Sequence, residues 1–251
     1  MRSDDDLEPV SPALRERLAP GGTLRAGINL SNFLLVSSRT SDGGPAGVSP
    51  DMARAIADRL GVALLYVPYA SPALLADAAT RGEWDIGLIG AEPQRAETIA
   101  FTTAYAAIEA TYLVPAGSNL TSIADVDAPG VRIAVTAKTA YGLWLDRNIS
   151  RAELIRSTTM DETLADFRDR KLDALAGLRA RLITDVVQLP GARILDGRFM
   201  TVQQAIGIAR TGDSQTDAAL AWLTRFVETA KASGFVGELI ARHGVAGLSV
   251  A

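Results

Sequence analysis

The stretch Glu83-Trp84-Asp85-Ile86-Gly87-Leu88 combines a polar residue, an apolar residue and an aspartate with the start of a buried β-strand. Lys171-Leu172-Asp173-Ala174-Leu175-Ala176 repeats this order. Each stretch closes a βαβαβ pattern in which short apolar runs alternate with amphipathic segments, and this alternation is typical of α/β proteins. Because the whole pattern occurs twice, the sequence predicts two lobes of similar construction.

Turn and cap residues delimit the predicted elements. Ser49-Pro50-Asp51 and Ser71-Pro72 each offer an N-cap residue followed by proline, so each predicts a helix start. Gly61 and Gly82 predict the ends of these two helices. The predicted strands are 24–28, 62–67, 84–89, 132–135, 154–156 and 172–178, and the further helices are 139–147, 161–170, 213–231 and 235–243.

Two extended runs, 111–115 and 202–209, fit inside neither lobe. We expect them to carry the chain out of the first lobe and back into it, as a two-strand hinge. The expected organisation is therefore an N-terminal tail, a discontinuous first lobe and a continuous second lobe. Their bounds are 1–21 for the tail, 22–112 and 203–251 for the first lobe, and 113–202 for the second. A cleft between lobes is a preferred place for a small molecule, and hinge closure around it is the expected motion.

Composition excludes several classes of protein. The 251 residues are 48% apolar, which is typical of a globular chain. Their 25 Lys and Arg against 29 Asp and Glu give a net charge of −4, which argues against a nucleic-acid binder. The absence of cysteine excludes disulfides and thiolate sites. The acidic start, Met1-Arg2-Ser3-Asp4-Asp5-Asp6, lacks the basic and apolar regions of a signal peptide, so a complete chain of this sequence is expected in the cytoplasm.

Residues for catalysis or metal binding are scarce. His243 is the one histidine, and its place just before Gly244 predicts a helix end, where it complements the helix dipole. A Ser-His-Asp triad or a histidine metal site would depend on this single residue. Lys138-Thr139 lacks the glycines of a phosphate-binding loop. We therefore expect no catalytic residue, metal or cofactor.

The stretch Asp85–Arg95 is the most informative for function. It runs from the carboxyl end of a predicted strand into a Gly/Pro loop, and open α/β sheets bind ligands at such ends. A guanidinium there can bind a carboxylate through two hydrogen bonds. The alternative is a solvated Arg95 paired with Glu92.

These and further segments resemble the family 3 extracellular solute-binding proteins, the amino-acid-type receptors of ABC importers. The resembling segments keep the family's order over residues 22–244; they are Gly22–Gly27, Gly47–Ala53, Trp84–Ile86, Pro93–Arg95, Phe101–Tyr105, Pro129–Val135, Leu172–Ala174 and Ala232–Phe235. The resemblance implies a two-lobed type II periplasmic-binding-protein-like fold, a small carboxylate-bearing ligand, a transporter permease as partner and a periplasmic location. We further expect a monomer that does not bind nucleic acid.

The resemblance also assigns site residues. In the family, the arginine that matches Arg95 holds the ligand's α-carboxylate. The loop that matches Lys138, Thr139 and Ala140 contributes backbone N–H groups at a helix start, which suit a carboxylate. Further candidates line the pocket wall or the returning segment, and they are Asn29, Asn32, Phe33, Tyr69, Ala91 and Gln203. Tyr69 is equally compatible with an ordinary packing role.

Two departures from the family leave the ligand open. Gly90 and Glu92 stand where the family usually has Ser or Thr, and Leu178, followed by Arg179, stands where it has the acid that pairs with an α-ammonium. Either Glu92 replaces the missing acid and the ligand is an amino acid, or the ligand lacks an α-ammonium and faces the cations Arg95, Lys138 and Arg179. The count of three cations against one carboxylate favours an acid or diacid.

Two other functions compete with import. A cytosolic binding protein or sensor without a transporter would fit the acidic start. A dehydratase-like enzyme on the same fold would need a carboxylate just past Leu178, where the sequence has Arg179, Ala180 and Arg181. The enzyme is therefore the least favoured reading.

Overall fold

The computed structural model describes residues 9–251 of the protein. Its helices are α1 (Pro12–Leu18), α2 (Val48–Leu60), α3 (Pro72–Asp77), α4 (Ala140–Asn148), α5 (Met160–Asp169), α6 (Arg179–Asp185), α7 (Ser214–Ala232) and α8 (Phe235–Arg242). Its strands are β1 (Thr23–Asn29), β2 (Ser38–Arg39), β3 (Pro45–Ala46), β4 (Ala63–Tyr69), β5 (Ile86–Gly90), β6 (Ile99–Val114), β7 (Arg132–Thr136), β8 (Glu153–Ser157), β9 (Ala174–Leu178), β10 (Arg193–Ile194), β11 (Met200–Ala209) and β12 (Leu248–Val250). The α/β prediction is confirmed, and each predicted strand is present within a few residues of its expected bounds.

The chain forms two compact units, which we call unit 1 and unit 2. Unit 2 comprises Ile108–Val202, and unit 1 comprises the described residues up to Ala107 together with Gln203–Ala251. The chain passes between units inside β6 and returns inside β11. Among the described residues, no helix is both long and apolar enough to cross a bilayer.

Unit 1 is built on a mixed sheet in the order β4–β1–β5–β11–β6. β1 lies parallel to β4 and to β5, and β11 runs antiparallel to β5. Because β1, β4 and β5 are parallel, their carboxyl ends share one edge of the sheet. One face of the sheet carries a core cluster that includes Leu75, Trp84 and Ile99.

Unit 2 repeats the scheme on a smaller scale. Its sheet has the order β6–β9–β7–β8, in which β9, β7 and β8 are parallel and β6 is antiparallel to β9. Leu113, Phe167 and Leu175 belong to a core cluster on this sheet. The carboxyl ends of β7 and β9 therefore also lie at one edge.

The N-terminal segment differs from the expected tail. Residues 1–8 of that tail lie outside the described part, but Pro12–Leu18 forms α1, whose N-cap Ser11 accepts a hydrogen bond from the Leu14 N–H. Leu18 is fully buried, and the Arg15 side chain donates to the Leu60 carbonyl. The Ser-Pro start signal at Ser11 is the same as at Ser71, so the sequence did contain the evidence for this helix.

The start of α2 also differs from the prediction. The helix begins at Val48 with Gly47 as its N-cap, not at Ser49. The Ser49 hydroxyl instead lies 2.9 Å from the hydroxyl of the fully buried Tyr105, so it is used in the core. At Ser71 the predicted cap is confirmed, since its side chain accepts from the Leu74 N–H.

Candidate functional site

The candidate residues of unit 1 gather at the carboxyl edge of its sheet. Asn29 and Tyr69 are register partners at the ends of β1 and β4, and Gly90 is the last residue of β5. Gln203 reaches the same place on β11, where its carbonyl accepts a 2.7 Å hydrogen bond from the Ala91 N–H. The sequence therefore brings residues from four separate strands to one edge, which is where α/β sheets bind ligands.

The loop after β5 is a tightly hydrogen-bonded turn. The Ala96 N–H donates to the Glu92 carbonyl at 2.9 Å, and the Gln94 N–H donates to Glu92 Oε2 at 3.1 Å. Arg95 then opens a short 3₁₀ turn that ends at Glu97. These bonds fix the backbone between Glu92 and Arg95, so the two side chains start from a defined geometry.

Arg95 is the most buried cation among the described candidates. The residue is 5% exposed, and its Nη1 donates a 2.7 Å hydrogen bond to the Gly90 carbonyl at the end of β5. Burial lowers the pKa of Arg95 to about 10, and the charge of the Glu92 carboxylate opposes that shift. Arg95 therefore keeps its charge at neutral pH in a place shielded from water, where charge-assisted hydrogen bonds are strong.

Glu92 lies in the same shielded region and is 4% exposed. Buried carboxylates are uncommon because removing a charge from water is costly unless partners compensate. The Gln94 N–H is one such partner, and the positive charge of Arg95 is another. The alternative interpretation of Arg95 as a solvated side chain is wrong, because both Arg95 and Glu92 are buried.

The pocket-wall candidates have local partners. Tyr69 packs in the unit 1 core, and its hydroxyl donates to Glu83 Oε2 at 3.0 Å. Burial and this hydrogen bond raise the pKa of Tyr69 to about 12. Asn29 Oδ1 accepts from the Ser31 N–H and hydroxyl, and Asn32 Oδ1 accepts from the Leu34 N–H. Tyr69 therefore packs in the core of unit 1, and its place in a pocket wall stays a prediction.

Phe33 differs from its neighbours because it is 38% exposed, in the loop that follows β1. Large aromatic side chains bury 150–250 Å² when they are covered, so an exposed one adds to binding surfaces. Phe33 therefore remains a candidate contact.

The unit 2 candidates lie at the carboxyl edge of their own sheet. Lys138, Thr139 and Ala140 follow β7, and Arg179 follows β9 directly. Lys138 has a positive φ of 57°, which the backbone rarely adopts outside glycine. Thr139 is the N-cap of α4: its Oγ1 accepts from the Gly142 N–H at 3.0 Å and donates to the Thr136 carbonyl at 2.8 Å. Its hydroxyl is thus used within the protein.

Arg179 is committed to an ion pair. Its Nε lies 2.9 Å from Glu109 Oε2, and its Nη2 donates to the Gly197 carbonyl. Arg198 binds the other oxygen of the same carboxylate at 2.8 Å. These two arginines hold the pKa of Glu109 below its usual range. The charge of Arg179 is therefore balanced by Glu109, and its contact with a solute stays a prediction.

Among residues 9–251, no group of three or more His, Cys, Asp or Glu side chains is placed to hold a metal ion. His243 is not only a helix-end residue, because its Nε2 lies 2.8 Å from Asp51 Oδ2 and ties α8 to α2.

The family model of the bacterial extracellular solute-binding proteins, family 3, matches residues 24–246. The chain belongs to this family. No curated protein matches it.

Solved structures of amino-acid-binding and ABC transporter binding proteins share the fold of this chain. A binding component of an ABC transporter from Wolinella succinogenes DSM 1740, complexed with lysine, superimposes with a TM-score of 0.71 at 22% identity over 88% of this chain and 95% of that one. An amino acid ABC transporter substrate-binding protein from Streptococcus pneumoniae Canada MDR_19A, bound to L-arginine, gives 0.71 at 19% identity over 95% and 99%. An ancestral amino acid-binding protein, a precursor of cyclohexadienyl dehydratase, gives 0.69 at 21% identity over 88% and 94%.

Three residues that hydrogen-bond to the candidate side chains are not predicted by the sequence. Glu83, Glu109 and Gly197 were not among the candidates, although they hold Tyr69 and Arg179. The Arg179–Glu109 pair joins residues 70 positions apart, and Arg179 and Gly197 belong to different elements. Periodicity and spacing report neighbours along one element, so they carry no signal for such pairs.

Proposed function

We propose that this family 3 solute-binding protein binds a small carboxylate-bearing solute and delivers it to an ABC-type importer, with Arg95 as the residue that holds the carboxylate. The observation that carries the proposal is the charged Arg95 side chain, 5% exposed and fixed by the Gly90 carbonyl at the carboxyl end of β5. A guanidinium presents five N–H donors in a planar fork, a geometry that suits a carboxylate.

The lining of the same sheet edge supports a small organic solute. Phe33 offers exposed aromatic surface, and the backbone of Ala91 is held to Gln203. The solutes named for two solved relatives, lysine and L-arginine, both carry a carboxylate. The expectation that unit 2 contributes through Lys138 and the start of α4 stays a prediction.

A thermal-shift screen tests the proposal. The unfolding midpoint is measured with amino acids, with organic acids and, as solutes without a carboxylate, with polyamines. Binding to the native state alone adds about 2.7 kcal/mol of stability when the solute concentration is 100-fold above its Kd. We expect at least one carboxylate to raise the midpoint, Arg95→Ala to abolish that rise and Gln94→Ala, an exposed neighbour in the same loop, to retain it. A screen in which no carboxylate raises the midpoint contradicts the proposal.

We also propose that the protein has no enzymatic activity of its own. The first carboxylate after Leu178 is Asp185, which is buried and accepts a 2.7 Å hydrogen bond from Arg181 Nε. Arg181 also binds Asp161 at 2.6 Å, so this carboxylate belongs to a charged network inside unit 2. Incubation with a cyclohexadienyl acid should give no dehydrated product, and turnover would contradict the proposal.

A further inference from the structure

We infer that unit 2 carries a second binding site: a cavity of about 390 Å³ beside the C-terminal end of α5 binds a small organic anion that has an apolar ring or chain. The cavity lies where β6 ends and β9 begins, so it is at the opposite edge of the unit 2 sheet from Lys138, which follows β7. This site does not depend on the function proposed for Arg95.

The size and the floor of the cavity suit a small molecule. Three segments enclose it: residues 115–116 after β6, the end of α5 with the turn that follows, and the loop before β10. Its floor includes Phe167 and Leu172 of the unit 2 core cluster, and part of the 189–192 loop packs against this cluster. Its volume falls within the range of about 300–1,000 Å³ that is typical of ligand pockets. The floor therefore offers an apolar surface to a ring or chain.

The walls of the cavity are held in place by contacts within unit 2. The Ala192 N–H donates to the Leu189 carbonyl at 3.0 Å, and the Leu189 N–H donates to the Val186 carbonyl at 3.1 Å. A Cβ at Gly191 would lie 2.8 Å from Ala116 Cβ, so this loop passes directly against the segment after β6. Because the walls are fixed by the fold, a ligand binds without the cost of ordering them.

Lys171, at the rim of the cavity, has a backbone conformation that favours glycine. α5 ends in a Schellman motif, in which the Leu172 N–H donates to the Phe167 carbonyl at 3.0 Å. The Lys171 N–H donates to the Arg168 carbonyl at 3.3 Å, and Lys171 has a φ of 50°. Glycine is usual at this position of the motif, and α2 does end with Gly61 at a φ of 66°. A lysine pays a conformational penalty here, and a role for its side chain in binding explains why it is present.

The charges around the cavity favour an anion. Arg168 and Asp173 also line it, but Arg168 Nε lies 2.7 Å from Asp169 Oδ1 and Asp173 Oδ2 lies 3.3 Å from Arg132 Nε. The ammonium of Lys171 makes no hydrogen bond or ion pair with any of residues 9–251. Among the described residues, Lys171 is thus the charge in the lining that has no counter-charge, and an anionic group of the ligand supplies one.

Two probes that share a ring and differ in charge test the role of Lys171. Naphthalene-2-sulfonate and naphthalene-2-sulfonamide are titrated calorimetrically into the full chain and into Arg95→Ala, in which the proposed solute site is disabled. We expect the sulfonate to bind both proteins and, in Arg95→Ala, to bind about threefold tighter than the sulfonamide, as an exposed ion pair allows. Added to Arg95→Ala, Lys171→Gln should remove this preference, and Arg151→Gln, at an exposed position outside the lining, should keep it. Absence of sulfonate binding to Arg95→Ala, or a preference that survives Lys171→Gln, overturns the inference.

A variant that fills the cavity tests its location. Ala192→Trp places a large side chain in the lining, so in the Arg95→Ala protein it should weaken binding of both probes at least about tenfold. Val187→Trp is the control, because Val187 is 82% exposed and lies outside the lining. Should Ala192→Trp lose the circular dichroism spectrum of the parent, Ala116→Trp fills the cavity from its exposed side and should have the same effect. Binding by a folded cavity-filling variant within about threefold of the parent affinity overturns the inference.

Discussion

Arg25 and Asp85 form a clasp between two neighbouring strands of unit 1, with Arg25 Nη2 2.6 Å from Asp85 Oδ1. The Arg25 N–H also donates to Asp85 Oδ2 at 2.8 Å, and the Asp85 N–H returns a bond to the Arg25 carbonyl at 2.9 Å. Unit 2 contains the same clasp between Arg132 and Asp173, with corresponding bonds of 2.8 and 3.0 Å. The repeated aspartate in the two sequence stretches thus serves the same structural purpose in each unit.

The two clasps differ in burial, which predicts different energetic contributions. The Asp85 side chain is 4% exposed, whereas that of Asp173 is 39% exposed. Asp85→Ala should lower the free energy of unfolding by about 2 kcal/mol, because it removes a buried carboxylate that accepts three hydrogen bonds from Arg25. Asp173→Ala should cost about 1 kcal/mol, because water screens its pair. Urea unfolding of both variants measures these two free energies. Equal losses of stability would show that the burial of the aspartate does not determine how much its ion pair contributes.

The sequence predicted the elements of both units because their signals are local. The Ser71 cap and the Gly61 stop each depend on residues within one turn, and both occur as predicted. The clasps depend on contacts across 60 and 41 residues, so the aspartates stood out while their arginine partners did not. At Ser49 the long-range contact with Tyr105 overrides the local cap signal.

In the candidate site, too, local features are predictable from the sequence and long-range contacts are not. The position of Arg95 after β5 follows from local pattern and from family resemblance, and the structure places it at the predicted sheet edge. The burial of Glu92 and the pairing of Arg179 with Glu109 depend on tertiary packing. Neither fact can be predicted from periodicity or spacing along the sequence.

Gly207 on β11 lies where the core of unit 1 leaves no room for a side chain. A Cβ at this position would lie 3.1 Å from Phe101 Cε1 and closer still to Ile99 Cγ2, which is inside normal contact distance. Gly207→Ala should therefore lower the free energy of unfolding by about 1–3 kcal/mol, as overpacking does. Gly237→Ala is the control, since its Cβ would meet only Val250 Cγ2 at 3.9 Å and alanine favours the α8 helix by about 1 kcal/mol. Chemical unfolding should give the two variants opposite signs, and a stabilised Gly207→Ala would contradict the packing described for β11.

The ionised carboxylate of Asp127 should stabilise unit 2 in a way that depends on pH. Its carboxylate accepts hydrogen bonds from the Ala152, Arg151 and Ser150 N–H groups at 2.9, 2.7 and 3.2 Å. These bonds lower the pKa of Asp127 from 3.8 to about 2. Since the folded pKa lies below the unfolded value, the contribution is present above about pH 4 and is lost as the pH falls towards about 2.

Asp127→Asn should remove this part of the pH dependence. Urea unfolding at several pH values down to the acid limit should give a flatter profile for Asp127→Asn than for the wild type. Asp58→Asn, at an exposed position of α2, should leave the profile unchanged. A wild-type slope in Asp127→Asn would mean that the three backbone bonds do not depend on its charge.

The most direct test of the account is isothermal titration of Arg95→Ala with the tightest-binding carboxylate of the screen. Removing one partner of a shielded charge pair costs at least about 2 kcal/mol, so the affinity should fall at least about thirtyfold, and Gln94→Ala should bind as the wild type does. Arg95→Lys keeps the charge without the fork of donors, so its affinity should fall between the two. Binding by a folded Arg95→Ala protein within about threefold of the wild-type affinity would contradict the central claim that Arg95 holds the carboxylate of the solute.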